Sequence, residues 1–315
     1  MTMTRLWVLT LGPPILVGAV YALSFPSSKG DHAVRTSRLV AAGARSPRIG
    51  ADDHDPLTRA CHEAADELAP QLPPSCRVIV RTPFVLAGDL PEAELDRLHC
   101  ETVLPVTAAL WRSYFDKKPD APVTIVALGT EERYRAAAES LDGYEPLAYS
   151  GYAQRGRRRI VLNLATGRGT LAHELAHVLA AFDFPGMPEW FDEGLAALHE
   201  DAVFSSDGLT MIGTKNWRSK LLAESLRKSE FPALETVIAA PTFRGEGEGL
   251  NYAVVRGFCH YLQHRGLLSH FYRKFRGAAH DDPSGVSTLC ELLGVATVDE
   301  VDRDFRAWVL DDAGR

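Results

Sequence analysis

Residues 170–179, with the sequence TLAHELAHVL, constrain this chain more than any other segment. His173 and His177 are four residues apart, so on a helix they lie about 40° apart around the axis and about one turn apart along it. Both imidazoles can therefore reach one point, and neutral imidazoles in this arrangement are good zinc ligands. Glu174 lies beside the first histidine and is placed to accept a proton from water at the metal. The apolar residues of the same segment predict that the rest of this helix is buried.

The same spacing also arises in an amphipathic helix that places two histidines on its polar face, so a zinc site requires a third protein ligand. Residues 184–188 (FPGMP) break the first helix, and Pro188 suits the first turn of a second helix. If the second helix returns beside the first, it brings an acidic residue over the histidines, and the candidates are Glu189, Asp192 and Glu193. Asp192 and Glu193 point about 100° apart, so only one of those two is expected to coordinate.

These segments together resemble the gluzincin metallopeptidases, specifically the peptidase-MA-like families in which HExxH is followed by W-(F/L)-x-E-G-(L/F)-A. The matching residues are His173, Glu174, His177, Trp190, Phe191, Glu193, Gly194 and Ala196. The resemblance covers the part of the chain from Val123 to Phe275. It implies that Glu193 is the third zinc ligand and that Gly194 allows two helices to approach closely. It also implies that a strand within residues 149–164 borders the active-site cleft, where an extended peptide could add to the sheet.

The resemblance implies a zinc-dependent peptidase that hydrolyses peptide bonds. His173, His177 and Glu193 would hold Zn²⁺, and Glu174 would act as the general base. No G-x-M-E-N exopeptidase signature occurs in the sequence, so an endopeptidase is expected. Its partner would be a peptide or protein substrate.

Two other functions remain open. The chain could be a non-catalytic zinc-binding or scaffold protein on a gluzincin-like fold. The intact Glu174 argues against this alternative, because a site without catalytic activity has no need of a general base. Alternatively, zinc could stabilise the fold without taking part in a reaction, in which case chelation would unfold the protein.

The order of the sequence patterns predicts an α+β fold, with strands first and helices after them. We expect a zincin-like arrangement: a small mixed sheet packed on the HExxH helix and a mostly helical C-terminal half. Strands are predicted at residues 78–88 and 123–128, and a hairpin over 149–154 and 159–164. Helices are predicted at residues 57–68, 91–115, 131–141, 170–182, 188–199, 215–228, 251–265, 267–276 and 297–311.

Residues 1–25 are predicted to be a signal peptide or an N-terminal membrane anchor. Residues 6–25 are an uncharged run of 20 preceded by Arg5, which suits a signal peptide or one membrane span. Residues 26–56 have the composition of a flexible linker, which leaves 57–315 as the metallopeptidase domain. Lys29, Arg35 and Arg38 follow the apolar run and would favour a cytoplasmic domain. Because an N-terminal apolar run is most often a signal or an anchor, we expect an extracytoplasmic protein: secreted, periplasmic or membrane-anchored.

The composition excludes several other classes of protein. The net charge of −7 argues against a general nucleic-acid binder, which needs a surplus of lysine and arginine. A chain that is 46% hydrophobic and 24% charged is neither wholly disordered nor a multi-span membrane protein. Five cysteines are too few for a disulfide scaffold. In an exported domain a bridge among Cys61, Cys76 and Cys100 is one alternative, and reduced thiols are the other.

Some polar residues are weaker candidates for the site. Tyr252 opens a predicted helix and could donate a hydrogen bond to an oxyanion, although packing is the more common role of such a tyrosine. His260 and His264 repeat the spacing of four, but no glutamate follows the first of them. Surface positions are expected for the remaining charged groups: Arg256, His199, Glu200 and the basic run at residues 155–159.

Overall fold

Strands and helices alternate through the first part of the fold, and helices make up most of the rest. The computed structural model describes residues 55–143, 150–243 and 247–314. Its strands are β1 (Arg77–Arg81), β2 (Phe84–Gly88), β3 (Val123–Leu128), β4 (Gly151–Gln154), β5 (Arg159–Asn163), β6 (Ala202–Phe204) and β7 (Met211–Gly213). Its α-helices are α1 (Pro56–Leu68), α2 (Glu92–Leu98), α3 (Leu104–Ser113), α4 (Glu131–Asp142), α5 (Gly169–Asp183), α6 (Glu189–Glu200), α7 (Trp217–Arg227), α8 (Leu234–Ala239), α9 (Glu248–His264), α10 (Leu268–Ala278), α11 (Val286–Leu293) and α12 (Val298–Ala313).

Five strands form a mixed sheet in the order β1-β2-β3-β5-β4. β2, β3 and β5 run parallel, while β1 and β4 pair antiparallel with their neighbours and form the two edges. Alternate side chains enter two apolar clusters on opposite faces, because successive residues of a strand point to opposite sides. Leu86, Ile125 and Ile160 pack in the cluster that includes α5, whereas Val85 and Val126 pack against α1 and α4. The predicted α+β class, with a mixed sheet against the HExxH helix, is confirmed.

Two predicted elements of the first half are interrupted. The strand expected over residues 78–88 is instead the hairpin of β1 and β2, which reverses at Thr82 and Pro83. The helix expected over residues 91–115 comprises α2, a π-helical turn (His99–Val103) and α3. Pro105 explains the second interruption, since proline has no N–H to donate and disturbs the helical turn before it.

The C-terminal half is helical, as predicted, apart from the two-stranded hairpin of β6 and β7. The sequence patterns also missed the short helices α8 and α11. Buried aromatic rings join the helices around Trp190, whose ring lies 5.2 Å from that of Phe191 and 5.9 Å from that of Phe271. At the end of α5, the buried Asp183 carboxylate accepts hydrogen bonds from the backbone of residues 116 and 117 and from the Tyr272 hydroxyl. These contacts fasten the C-terminal end of α5 to the loop that follows α3 and to α10.

The predicted N-terminal run at residues 1–25 and almost all of the predicted linker at 26–56 lie outside the described residues. The first helix starts at Pro56, where the Asp55 side chain caps it by accepting a hydrogen bond from the Thr58 N–H. Within the three described ranges, none of the helices combines the length and the apolar character needed to cross a membrane. The thiols of all five cysteines are free, and these are Cys61, Cys76, Cys100, Cys259 and Cys290.

Candidate metal centre

Helix α5 supplies two of the three candidate ligands. Its apolar residues, such as Leu171, Leu175 and Val178, bury it so completely that His173 and His177 are each only 1% exposed. The two Nε2 atoms lie 3.0 Å apart, and the rings are nearly perpendicular. The alternative of an amphipathic helix with both histidines on a solvated face is therefore wrong.

Helix α6 supplies the third candidate ligand, Glu193. Pro188 caps this helix with an extended backbone, and α6 packs against both α5 and α9. The Glu193 Oε2 atom lies 3.6 Å from the Nε2 atom of His173 and 3.5 Å from that of His177. Of the three acidic candidates it is Glu193 that joins the histidines, while Glu189 accepts a hydrogen bond from the Phe243 N–H.

The close packing of α6 depends on Gly194. A Cβ atom at this position would lie 2.7 Å from the backbone oxygen of Val255 and 2.8 Å from Cys259 Sγ, both on α9. The close helix approach that the resemblance implies at Gly194 is thus present. It matters for the site because the neighbouring residue is Glu193.

The three buried groups could hold a metal ion. Ligands about 2.0–2.1 Å from a tetrahedral zinc ion are about 3.3 Å from one another, close to the spacings of 3.0–3.6 Å found here. Neither carboxylate oxygen of Glu193 has a hydrogen-bond donor among the described residues. Because buried carboxylates are normally satisfied, these orphaned oxygens fit a cation as their missing partner. The donor set of two imidazoles and a carboxylate suits zinc but does not by itself fix the identity of the metal.

Glu174 lies beside this cluster and is fully buried. Neither of its carboxylate oxygens has a hydrogen-bond donor within the described ranges. Burial raises the pKa of Glu174, although the neighbouring charges of His173 and His177 partly oppose that effect. A carboxylate in this state is a better proton acceptor than an exposed one, as a general base requires.

A second layer of charged groups surrounds His177. Its Nδ1 atom lies 2.9 Å from Asp192 Oδ1, so an Nδ1–H would donate to this carboxylate and leave Nε2 facing Glu193. Burial opposes the charged imidazolium, but the Asp192 and Glu193 carboxylates outweigh it and raise the pKa of His177 to about 10. In turn, the positive charge of the His177 imidazolium outweighs the effect of burial on Glu193 and lowers the pKa of that carboxyl. The two carboxylates therefore favour the protonated form of the His177 imidazole.

The prediction of a solvated turn at residues 155–159 is wrong for its first and last arginines. The first, Arg155, forms an ion pair with Asp192, and its side chain is 29% exposed. Arg159 is buried and forms an ion pair with Asp142, as does the more exposed Arg157. No sequence signal separated these arginines from their neighbours, since all belong to one basic run.

Two further residues predicted at the surface are buried. His199 is 1% exposed, and its Nε2 atom lies 3.1 Å from the hydroxyl of Tyr114. Arg256 is equally buried, and its guanidinium donates to the backbone oxygens of Ala197 and Thr214. Glu200 pairs with Arg218. These charged groups fasten the C-terminal end of α6 to its neighbours.

The remaining candidates for the site are Tyr252, His260 and His264. Tyr252 is buried near the start of α9, with its ring 5.7 Å from that of Phe243, and its role toward an oxyanion remains a prediction. The rings of His260 and His264 both pack against Trp308.

Strand β4 is the sheet edge nearest to the HExxH helix. It packs against α5, and a Cβ atom on Gly151 would lie 2.6 Å from the Thr170 side chain. Arg155 follows directly after β4. The predicted pairing of an extended peptide with this strand remains a prediction.

A comparison with models of known protein families found no match to this chain. A comparison with curated proteins also found no significant match.

Proposed function

We propose that this protein is a zinc-dependent peptidase of the gluzincin type, with a zincin-like fold. The observation that carries the proposal is the buried cluster of His173, His177 and Glu193 with the Glu174 carboxylate beside it. A scaffold or a purely structural site needs the three ligands but has no use for a buried, unpartnered carboxylate next to them. Leaving such a group in the core costs stability, which favours a chemical role for it.

A zinc ion held by His173, His177 and Glu193 would supply a Lewis acid that polarises the scissile carbonyl and makes nearby water more acidic. Glu174 would take the proton from the attacking water and deliver it to the nitrogen of the leaving amine. The raised pKa of Glu174 suits both steps, because the carboxyl must first accept a proton and then release it. Burial of the site would keep bulk water from screening these charges.

The substrate in this proposal is an extended peptide or protein segment that adds to the β4 edge. The enzyme would act as an endopeptidase, which cleaves bonds within the substrate rather than at its ends. Edge strands bind peptides through backbone hydrogen bonds, which suits cleavage of varied sequences. Nucleic acid is not an expected partner. The apolar run at residues 6–25 supports an extracytoplasmic location, either secreted, periplasmic or anchored at the membrane.

The test compares the full-length protein with its Glu174→Gln variant. We expect both to contain about one zinc ion, and we expect cleavage of a peptide library to fall at least about 100-fold in the variant, since it lacks the general base. Glu132→Gln, at an exposed position of α4, is the matched control and should retain full activity. Equal cleavage by the wild type and Glu174→Gln would refute the peptidase mechanism.

Two other outcomes would support the alternatives. Zinc without cleavage of any peptide would favour the non-catalytic binding or scaffold protein. Unfolding on removal of zinc by a chelator would favour a structural role for the metal, whereas a catalytic site loses activity and keeps its fold.

A further inference from the structure

The Asp192 carboxylate links an arginine to a candidate metal ligand. One of its oxygens lies 2.9 Å from Nδ1 of His177, and the other forms the ion pair with Arg155. The same Arg155 nitrogen lies 3.1 Å from Nδ1 of His177. The order Arg155, Asp192, His177 therefore leads from the turn after β4 to the imidazole whose Nε2 faces Glu193.

The turn that carries Arg155 is anchored to the end of α4 by its later arginines. Arg157 and Arg159 both pair with Asp142, whose side chain is completely buried at the end of α4. Arg159 also donates to the Leu141 backbone oxygen at 3.0 Å. These contacts hold the turn in place, and from it the Arg155 guanidinium reaches Asp192.

The charges of the site favour a role for this pair beyond packing. Asp192 has a side chain only 3% exposed, and a buried carboxylate is costly unless a cation compensates it. Glu174 and Glu193 add two more buried carboxyl groups. A divalent metal ion together with the Arg155 guanidinium would balance three carboxylates while both histidines stay neutral.

We propose that Arg155 and Asp192 are a positioning pair for His177. Asp192 holds the imidazole in one orientation with Nδ1 protonated, so that Nε2 is directed at the metal, and Arg155 holds Asp192 in place. This inference rests on the proposed function, because it assumes that His177 binds a metal ion. Neither residue is expected to touch the substrate.

The test measures the affinity of the full-length protein for Co²⁺ and Zn²⁺ by competition with a chelator. Arg155→Ala and Asp192→Asn should each weaken binding about 10- to 100-fold, the usual effect of losing a group that orients a metal ligand. Arg155→Lys should recover part of that loss, since it restores the charge without the planar guanidinium. The matched control is Arg303→Ala at an exposed position of α12, which should bind metal like the wild type because this side chain contacts neither the turn nor the metal centre.

A double-mutant cycle separates a positioning role from a general weakening of the fold. If Arg155 acts through Asp192, the variant carrying both Arg155→Ala and Asp192→Asn should bind no more weakly than Asp192→Asn alone. The visible spectrum of bound Co²⁺, which reports ligand geometry, should shift in Asp192→Asn and not in Arg303→Ala. Far-ultraviolet circular dichroism checks that each variant is folded, and Asp192→Asn, which keeps the side-chain shape, decides the matter if Arg155→Ala does not fold.

Unchanged metal affinity in both Arg155→Ala and Asp192→Asn would overturn the proposal, as would fully additive losses in the double variant. These results differ from a failure of the proposed function. In that case the wild type itself would bind no metal, or would bind metal and cleave no peptide.

Discussion

Replacing Gly194 with alanine tests how closely the helix that carries Glu193 must approach α9. The added methyl group would lie 2.7 Å from the Val255 backbone oxygen and 2.8 Å from Cys259 Sγ. The cysteine side chain can rotate, but the carbonyl belongs to the helix backbone and cannot turn aside. To reach an ordinary contact distance, α6 would have to move away from α9 by several tenths of an ångström.

Two opposing effects set the size of the change in stability. Alanine is a better helix former than glycine by about 1 kcal/mol, which favours the variant. Forcing an extra carbon into a packed core costs about 1–3 kcal/mol, and the upper part of that range applies where backbone must move. We therefore expect Gly194→Ala to lower the free energy of unfolding by about 1–2 kcal/mol.

The same movement should weaken metal binding, because Glu193 is the next residue along α6. Metal sites tolerate ligand displacements of only about 0.2 Å, so a shift of several tenths is enough to impair coordination. We expect the affinity for Zn²⁺ to fall about tenfold or more, comparable to the loss of a group that orients a ligand.

Urea unfolding of the metal-free protein measures the stability, and competition with a chelator measures the affinity. The control is Gly277→Ala at an exposed position of α10, where an added Cβ atom meets nothing within 4 Å. This variant should gain about 0.5–1 kcal/mol from helix propensity and bind zinc normally. If Gly194→Ala is stabilised as much as Gly277→Ala and binds zinc equally well, the contact between α6 and α9 does not limit the site.

Two predictions concern pH. Burial and the nearby charge of Arg256 lower the pKa of His199 to about 4, so between pH 6.5 and 4 the unfolded chain takes up a proton that the folded protein resists. Folding stability should therefore fall by about 3 kcal/mol on acidification through that range, and His199→Gln should abolish this part of the loss in urea titrations at several pH values. At the metal centre, the raised pKa of His177 means that zinc must displace a proton, so affinity should fall about tenfold for each unit of decreasing pH near neutrality. Calorimetry in buffers of different ionisation enthalpy should detect about one proton released per zinc, and an affinity independent of pH would contradict this assignment.

The parts of the site that lie within a single helix could be predicted from the sequence. The positions of His173 and His177 follow from helix geometry alone, and Pro188 marks the start of the helix that brings Glu193. The sequence spacing left Asp192 and Glu193 as alternatives, which the resemblance and not the spacing distinguished. The structure gives each of them a different place: Glu193 lies among the ligand atoms, and Asp192 lies behind His177.

What the sequence by itself determined about this protein is therefore local. It comprises the helices with periodic apolar residues, the strands rich in β-branched residues, and the spacing of the two histidines. Only the tertiary structure decided that Arg155 meets Asp192, that His199 and Arg256 are buried, and that residues 78–88 fold back as a hairpin. The physical reason is the range of the interactions. Helix geometry acts over a few residues, whereas the burial and pairing of a charged side chain depend on which distant segments pack around it, and the basic run at residues 155–159 carries no local mark of which arginine will face the metal centre.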